Sequence, residues 1–183
     1  IAIDDGGAIY NWPNGSGGTL DMDIINATFS RNEAADEGGS IYAVPNNFAG
    51  FFDITITNSI MWNSENGAGF NEICLGSGQV TIGYSDVRAI LGAGVTINCD
   101  GGVSVFVNNG NNMNQAPQFI DFDGLDAVVG TLDDDLDLQA ASPVIDEGDN
   151  AASTQPLDFL ARTRIVDGGS GTATVDMGAY EYQ

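Results

Sequence analysis

Apolar and polar residues alternate in two segments of the chain, residues 20–24 and residues 52–56. In each segment every second residue is apolar, and acids or threonine occupy the positions between them. A period of two places successive side chains on opposite faces of an extended strand. The pattern therefore predicts two β-strands, each with one face in a core and the other face in solvent.

These two strands belong to a repeat. The sequence Gly-Gly-Ala-Ile-Tyr at residues 6–10 returns as Gly-Gly-Ser-Ile-Tyr at residues 38–42, and Ile73 keeps the same spacing from Ile41. A fixed period of this length is typical of stacked repeats, in which one unit cannot bury its apolar face alone. We therefore predict that equivalent side chains stack on one another along one axis.

The repeat continues in shorter units. Residues 73–87 keep the alternation without the glycine pair, and a fourth unit begins at Val95-Thr96-Ile97-Asn98-Cys99. The spacing shortens from one unit to the next, which we attribute to shorter loops between strands of similar length. Residues 1–115 are expected to form the stacked units, and no segment predicts a helix of more than one turn.

Asn26 and Asn58 follow the two predicted strands at equivalent positions. Asparagine tolerates a bent backbone, and its amide can pair with the amide of an asparagine one unit away. We predict a structural asparagine ladder at a corner of the stack. The aromatic residues of the repeat are predicted to stack in the core, and an exposed sugar-binding platform is the alternative. They are Phe29, Phe52, Trp62 and Tyr84.

The pattern changes from Ala116 onward, where four short motifs replace the repeat. The last strand of a stack has unpaired backbone groups that must be covered, so we predict that residues 116–183 close the end of the same stack. The motifs are Pro-Gln-Phe-Ile-Asp at 117–121, Leu-Asp-Leu-Gln-Ala-Ala-Ser-Pro-Val-Ile-Asp-Glu-Gly-Asp at 136–149, Arg-Ile-Val-Asp-Gly at 164–168 and Asp-Met-Gly-Ala-Tyr-Glu at 176–181.

Together with the glycine-pair units, these motifs resemble the C-terminal part of bacterial secreted surface proteins of the choice-of-anchor class. The units are also similar to those of chlamydial polymorphic outer-membrane proteins. The resemblance covers essentially the whole chain and implies an all-β fold, a right-handed single-stranded parallel β-helix with a closing segment. Such proteins are large, exported and held at the cell envelope by a separate element. The resemblance therefore implies a secreted or cell-surface location and no particular enzymatic activity.

The charge balance excludes several kinds of function. The chain has 26 acidic residues against four arginines, no lysine and no histidine, and its net charge is −22. Such a surface repels nucleic acid and anionic membranes. Catalysis by histidine is excluded, and no apolar run approaches the ~18 residues of a membrane-spanning helix. We expect no nucleic-acid partner and no direct membrane insertion.

Acidic oxygens make calcium the cation to expect. Asp121, Asp123 and Asp126 alternate around the glycine at position 124, as ligands do in part of a calcium loop, although the later bidentate glutamate is missing. The aspartates at positions 133, 134, 135 and 137 are a second candidate. The alternative is that these acids only keep the surface soluble.

Cys74 and Cys99 lie 25 residues apart, close to the length of one of the shorter units. Adjacent strands can bring two cysteines into disulfide geometry, and a bridge would fit an oxidising, extracellular setting. Two buried free thiols are the alternative, because cysteine is among the most buried residue types. A metal site formed by two cysteines without histidine is not expected.

Two functions remain open. The leading interpretation is a noncatalytic structural or adhesive segment of an extracellular protein, within a larger chain or filament. The alternative is a carbohydrate-active or carbohydrate-binding β-helix, similar to polysaccharide lyases. A lyase needs a base beside calcium, and the repeat region offers only Arg31 and Arg88. A groove with exposed aromatic rings and clustered carboxylates beside either arginine would favour the alternative.

The partners expected from this interpretation are further copies of the chain, neighbouring surface proteins or a polysaccharide. An elongated stack can associate end to end or side by side through its unpaired strands. The chain opens on Ile1 within a predicted strand. We therefore expect more protein, or a partner, to precede it.

Overall fold

A computed structural model of the chain describes residues 2, 4–13, 17–45, 50–66, 69–70, 72–88 and 97–183. The described residues form thirteen β-strands and no helix, so the fold is all-β. The strands are β1 (Ile9–Asn11), β2 (Gly18–Ile25), β3 (Thr28–Ser30), β4 (Ile41–Ala43), β5 (Gly50–Thr57), β6 (Ile60–Trp62), β7 (Glu65–Asn66), β8 (Gly69–Phe70), β9 (Ile73–Gly83), β10 (Asp86–Val87), β11 (Asn98–Asn108), β12 (Phe119–Asp121) and β13 (Asp135–Leu138).

The main sheet is parallel and curled, with the order β1-β4-β9-β5-β2 and with β11 also paired to β9. Strand β9 is long enough to pair with β4 through its first residues and with β5 through its last ones. Ile9, Ile41 and Ile73 are register partners, as the repeat predicted. Their stacking along one column is confirmed.

A second parallel sheet, β10-β6-β3, lies beside the main sheet. Thr28 pairs with Ile60 and Ile60 with Asp86, so the same three units contribute one strand each. Two short antiparallel pairs, β7 with β8 and β12 with β13, complete the described strands. The predominance of parallel pairing follows from the repeat, because each unit re-enters the sheet in the direction of the unit before it.

The core lies on the concave side of these sheets and consists of columns of apolar side chains. One column contains Met22, Ile54 and Val80, which are register partners and pack in a single cluster. Phe52 is buried in this cluster and Phe29 packs against it, as predicted from the sequence. The alternation seen in the sequence thus separates a buried face from a face that carries acids and threonines.

The glycine pairs mark a close approach of adjacent units. A Cβ atom on Gly7 would collide with the carbonyl oxygen of Gly39, and a Cβ atom on Gly39 would lie 2.6 Å from the backbone nitrogen of Glu65. Any larger residue would push the units apart, because real Cβ atoms do not approach backbone atoms this closely. The repeated glycine therefore sets the contact distance between units.

Residues 116–183 pack against the side of the stacked strands. Their apolar residues form a second cluster with Ile60 and Trp62, which lie on the outer face of the β3–β6–β10 sheet. The backbone N–H of Gly178 donates to the carbonyl oxygen of Asn58 at 2.8 Å. The N–H of Ala179 donates to the Thr28 hydroxyl at 2.9 Å. These contacts lie on a lateral face of the stack, and closure of its end by residues 116–183 stays a prediction.

Ile1 and the first residues of the fourth unit, Val95 and Thr96, lie outside the described residues. The unit continues as predicted with buried Ile97 and strand β11. Within the described part of the chain, no helix has the length and apolar character needed to cross a membrane.

Candidate functional site

A cleft of about 580 Å³ lies between the first repeat unit and the loop that follows β12. Strand β3 and the corner after it form one wall, and residues of the 122–136 segment form the other. Pockets for small molecules have volumes of about 300–1,000 Å³. The charged and aromatic side chains that line the cleft include Arg31, Glu33, Phe122 and Asp134.

Arg31 is the cation of the cleft. It follows β3 with a φ of 53°, and its backbone N–H donates to the carbonyl oxygen of Trp62 at 3.0 Å. The guanidinium carbon lies 3.7 Å from the centroid of the Phe122 ring. A guanidinium over an aromatic face is attracted by the ring quadrupole, so this contact holds the loop against the first unit. The guanidinium also covers one face of the Phe122 ring, so that face is not available to a ligand.

Carboxylates of both calcium candidates close the turn that contains residues 121–126. Asp133 Oδ2 accepts from the N–H of Leu125 at 2.8 Å, and its Oδ1 accepts from the Thr131 hydroxyl at 2.7 Å. The hydrogen bond from Thr131 lowers the pKa of Asp133. Asp126 Oδ1 accepts from the N–H of Val128 at 2.9 Å. The carboxylates therefore already satisfy the backbone of this turn.

Asp121, Asp123 and Asp126 do not converge on a common point. Among the described residues, two groups of three acidic or cysteine side chains bring their ligand atoms within 4.8 Å of one another, and these three aspartates form neither group. Desolvation, followed by the hydrogen bond and charge of Asp123, raises the pKa of Asp121. A calcium ion at this turn would need backbone carbonyls or a rearrangement, and calcium binding stays a prediction.

The aspartates of the second calcium candidate bond to different partners. Asp134 Oδ2 accepts from the N–H of Gly130 at 2.6 Å. Asp137 accepts two hydrogen bonds from the Arg162 guanidinium, at 2.6 Å and 2.9 Å. Asp135 Oδ1 accepts from the N–H of Asp137 at 3.0 Å. These acids close turns and pair with an arginine, and calcium binding by them stays a prediction.

Cys74 and Cys99 are joined in a disulfide with a Cα–Cα distance of 5.5 Å. They lie on the paired strands β9 and β11, beside Tyr42 and Val44, and both are buried. The Cys74 sulfur is 3.2 Å from a carboxylate oxygen of Glu37. The bridge covalently links two adjacent units, and its sulfurs are not thiolate ligands.

Asn26 and Asn58 occupy equivalent corners with φ values of 52° and 50°, the bent conformation expected for asparagine there. Their side-chain amides form hydrogen bonds with residues 116–183, the lateral segment. Asn58 bonds both the N–H and the carbonyl of Asp149, and Asn26 Nδ2 donates to the Ser153 hydroxyl at 2.9 Å. The two residues hold the 149–153 segment in place, where the sequence analysis had paired them with each other.

The sequence did not predict an aromatic stack of Tyr10, Trp12 and Tyr42. The rings of Tyr10, Trp12 and Tyr42 lie parallel to within 4°, with centroids 5.2–6.2 Å apart. Tyr42 is buried, while Tyr10 is 53% exposed and Trp12 is 36% exposed. The repeat contained the signal for the Tyr10–Tyr42 stack, since these residues are register partners. Trp12 lies outside the repeat and gave no such signal.

No protein-family model, no curated protein and no solved structure matches the chain.

Several carboxyl groups with strongly raised pKa values are buried in the stack. Burial raises the pKa of Glu72 to about 7. Its two carboxylate oxygens accept from the Ser40 hydroxyl at 2.7 Å and from the Ser64 N–H at 3.0 Å. Burial also raises the pKa of Asp86 to about 7, and the charge of Glu72 adds to this rise. Asp86 Oδ1 accepts from the N–H of Gln115 at 3.0 Å.

A second set of buried acids organises the last motif of the chain. Burial raises the pKa of Glu181 to about 8 and that of Asp176 to about 6. Asp176 accepts from the backbone N–H groups of Asp146 and Tyr182, each at 2.7 Å. Arg164 donates to the carbonyls of residues 178 and 179 and lies 3.8 Å from Glu181. This network ties Arg164 to the last motif of the chain.

None of these four acids lines the cleft. A general acid near neutral pH needs a raised pKa and contact with the substrate. Glu72, Asp86, Asp176 and Glu181 are buried and bonded to backbone groups or hydroxyls, so none of them can act on a ligand in the cleft. The acids that line the cleft are Glu33 and Asp134.

Proposed function

We propose that this chain is a structural segment of a right-handed, single-stranded parallel β-helix in a secreted or cell-surface protein, without a catalytic role. The observation that carries the proposal is the register of β2 on β5. It runs without interruption from Gly18 opposite Gly50 to Ile25 opposite Thr57. Repeats that stack in an uninterrupted register form an extended rod, because each unit packs on the next in the same way.

The disulfide supports the extracellular part of the proposal. Disulfides persist in oxidising compartments and are rare in reducing ones. The acidic surface fits the same setting, because a net charge of −22 keeps an exposed protein soluble. The covalent link between adjacent units adds resistance to unfolding that a load-bearing segment needs.

The noncatalytic part of the proposal is tested with polysaccharides. The purified chain is incubated with pectin, alginate, xylan and cellulose, and new reducing ends and unsaturated uronates are measured. A structural segment releases neither product. Product formation that disappears in the variants Arg31→Ala or Glu33→Gln would contradict the proposal and would favour a carbohydrate-active enzyme.

The second candidate function is binding of a neutral polysaccharide. The exposed parallel rings of Tyr10 and Trp12 favour it, because flat aromatic surfaces pack against the apolar faces of sugar rings. The cleft beside Arg31 adds polar groups and carboxylates. The acidic surface repels anionic sugars and nucleotides, so neutral sugars are the class of ligand that fits it.

Tryptophan fluorescence tests this second function, since the chain contains two tryptophans, Trp12 and Trp62. Titration with cellohexaose should change the emission of the wild-type protein and of Trp62→Phe. It should leave the emission of Trp12→Phe unchanged. An unchanged wild-type signal, together with no retention of the protein on insoluble cellulose or mannan, would remove this candidate.

A further inference from the structure

Strand β11 ends the main sheet with an open edge. In the described part of the chain its strand partner is β9, on one side only. Three valines on its outward face are exposed: Val103 at 82%, Val105 at 54% and Val107 at 37%. The equivalent outward positions of β2 are acids or threonine. The last strand of the sheet is thus the one that presents an apolar stripe.

This edge is open because the chain turns away from it. After β11, Met113 pairs with Asp86 at the neighbouring sheet, and Gln115 bonds the Asp86 carboxylate. The chain then continues into the lateral segment, which packs on the β3–β6–β10 face. Among the described strands, the edge of β11 is therefore left unpaired because the chain leaves it for the neighbouring sheet and the lateral segment.

Residues 102–108 lack the charge and the proline that usually protect an edge strand. A register shift lies before them, between Asn98 and Val103, and the Ser104 N–H donates to Asn98 Oδ1 at 2.8 Å, a hydrogen bond that a pairing strand would replace. Exposed edge strands normally carry charges, proline or a bulge that prevents association. Residues 102–108 read Gly-Val-Ser-Val-Phe-Val-Asn and contain no charge, in a chain with 26 acidic residues. The register partners of the three valines on β9 are Ser77, Gln79 and Thr81, which are also uncharged. A second strand can approach this edge without meeting a like charge.

The pattern of the stripe is the same in both directions. Valines at alternate positions around Val105 remain valines when the strand is reversed. An antiparallel copy centred on Val105 therefore places Val103 opposite Val107 of the second copy, and Val105 opposite its own equivalent. Cross-strand pairs of β-branched residues stabilise sheets, and a twofold axis is the commonest symmetry of protein dimers.

We propose that the open edge of β11 is a dimer interface, where two copies of this chain pair residues 103–107 as antiparallel strands about a twofold axis at Val105. The second copy is the occupant because the stripe is complementary to itself. The inference concerns this surface alone and holds whether or not the chain is part of a cell-surface rod. Since each copy carries −22 charges, the dimer should be tighter at high salt than at low salt.

Light scattering after size exclusion tests the interface with a matched pair of variants. Val105→Lys introduces a charge into the stripe, and Val128→Lys makes the same change at a valine of almost equal exposure, 53% against 54%. With loading increased from about 1 to 200 µM, the wild-type mass should rise towards twice 19.0 kDa. Val128→Lys should follow the wild type, and Val105→Lys should stay monomeric.

A wild-type protein that stays at 19.0 kDa throughout, or a Val105→Lys variant that dimerises like the wild type, would overturn the interface. Cysteine cross-linking tests the register independently of that variant. Residues that face each other in an antiparallel pair have Cα atoms about 4.5–5.5 Å apart. Val105→Cys should therefore cross-link to itself. Val103→Cys should cross-link in a mixture with Val107→Cys and not alone.

Cross-linking of Val103→Cys to itself as fast as that of Val105→Cys would contradict the twofold register. Failure of every cysteine variant to cross-link would contradict the interface. Neither result would bear on the polysaccharide tests above, so the failure of this inference and the failure of the proposed function are distinguishable.

Discussion

The side-chain amide of Asn58 makes two hydrogen bonds to the backbone of Asp149, which is 91 residues further along the chain. Asn58 Oδ1 accepts from the N–H of Asp149 at 2.7 Å, and Nδ2 donates to its carbonyl oxygen at 2.9 Å. Asn58 is fully buried. One asparagine thus forms a corner of the repeat and also anchors the lateral segment.

Replacing Asn58 with alanine should destabilise the fold by about 2–4 kcal/mol. The change removes both hydrogen-bond partners of the partly buried Asp149 backbone and places alanine at a φ of 50°. The free energy of unfolding in urea is the measurement. Asn26→Ala, which removes one hydrogen bond to Ser153, should cost clearly less. Equal costs would show that the contact with Asp149 contributes nothing of its own.

Loss of the Cys74–Cys99 bridge should lower the free energy of unfolding by about 3 kcal/mol. The bridge closes a loop with a sequence separation of 25, and a cross-link of this size restricts the unfolded chain accordingly. Guanidinium unfolding with and without reductant measures the effect. The double variant Cys74→Ala, Cys99→Ala should then be insensitive to reductant. Unchanged midpoints in all four samples would contradict this role.

Glu72 should make stability depend on pH. Its pKa is raised from 4.5 to about 7 in the folded protein, so the folded state binds the proton more tightly than the unfolded state. This contribution is fully present below about pH 4 and is lost as the pH rises to about 7. Glu72→Gln should therefore be close to the wild type at pH 4 and more stable than the wild type at pH 8.

The control for Glu72 is Glu33→Gln, which changes an exposed acid. The difference in unfolding free energy from the wild type should change more between pH 4 and pH 8 for Glu72→Gln than for Glu33→Gln. A Glu72→Gln difference that stays constant over this range would show that the buried carboxyl does not titrate as described.

Gly39→Ala should destabilise the protein by about 1–3 kcal/mol or more, because the new Cβ would lie 2.6 Å from the backbone nitrogen of Glu65. Gly50→Ala is the matched control, since its nearest neighbour is the Cβ atom of Pro45 at 3.3 Å. That variant should stay within about 1 kcal/mol of the wild type. Thermal unfolding compares the two. Equal melting temperatures would argue against close contact between units at Gly39.

The sequence was informative where the repeat was regular. The spacing of Ile9, Ile41 and Ile73 predicted their column, because identical residues at one period can stack only if the strands are parallel and in register. The position of residues 116–183 could not be read in this way. The contact of Asn58 with Asp149 joins a repeat to a segment without a period, so no pattern in either one indicates the other.

The candidate site was predictable only in part. Arg31 and Phe122 lie in different segments, and only the fold brings the guanidinium over the ring. The acid-rich loop predicted to bind calcium contains backbone N–H groups that its carboxylates satisfy, which composition alone does not reveal. The exposed valines of β11 have the alternation of a core strand, and their exposure depends on where the chain turns next.

The most direct test of the stacked register is cross-linking between equivalent positions of adjacent units. Asp23 and Thr55 are register partners on β2 and β5, and Thr81 is the partner of Thr55 on β9. Neighbouring strands lie about 4.8 Å apart. The variant Asp23→Cys, Thr55→Cys should form an intramolecular bridge on mild oxidation, and Asp23→Cys, Thr81→Cys should not. The reverse result, or equal bridging in both variants, would contradict the stacking of units at this period.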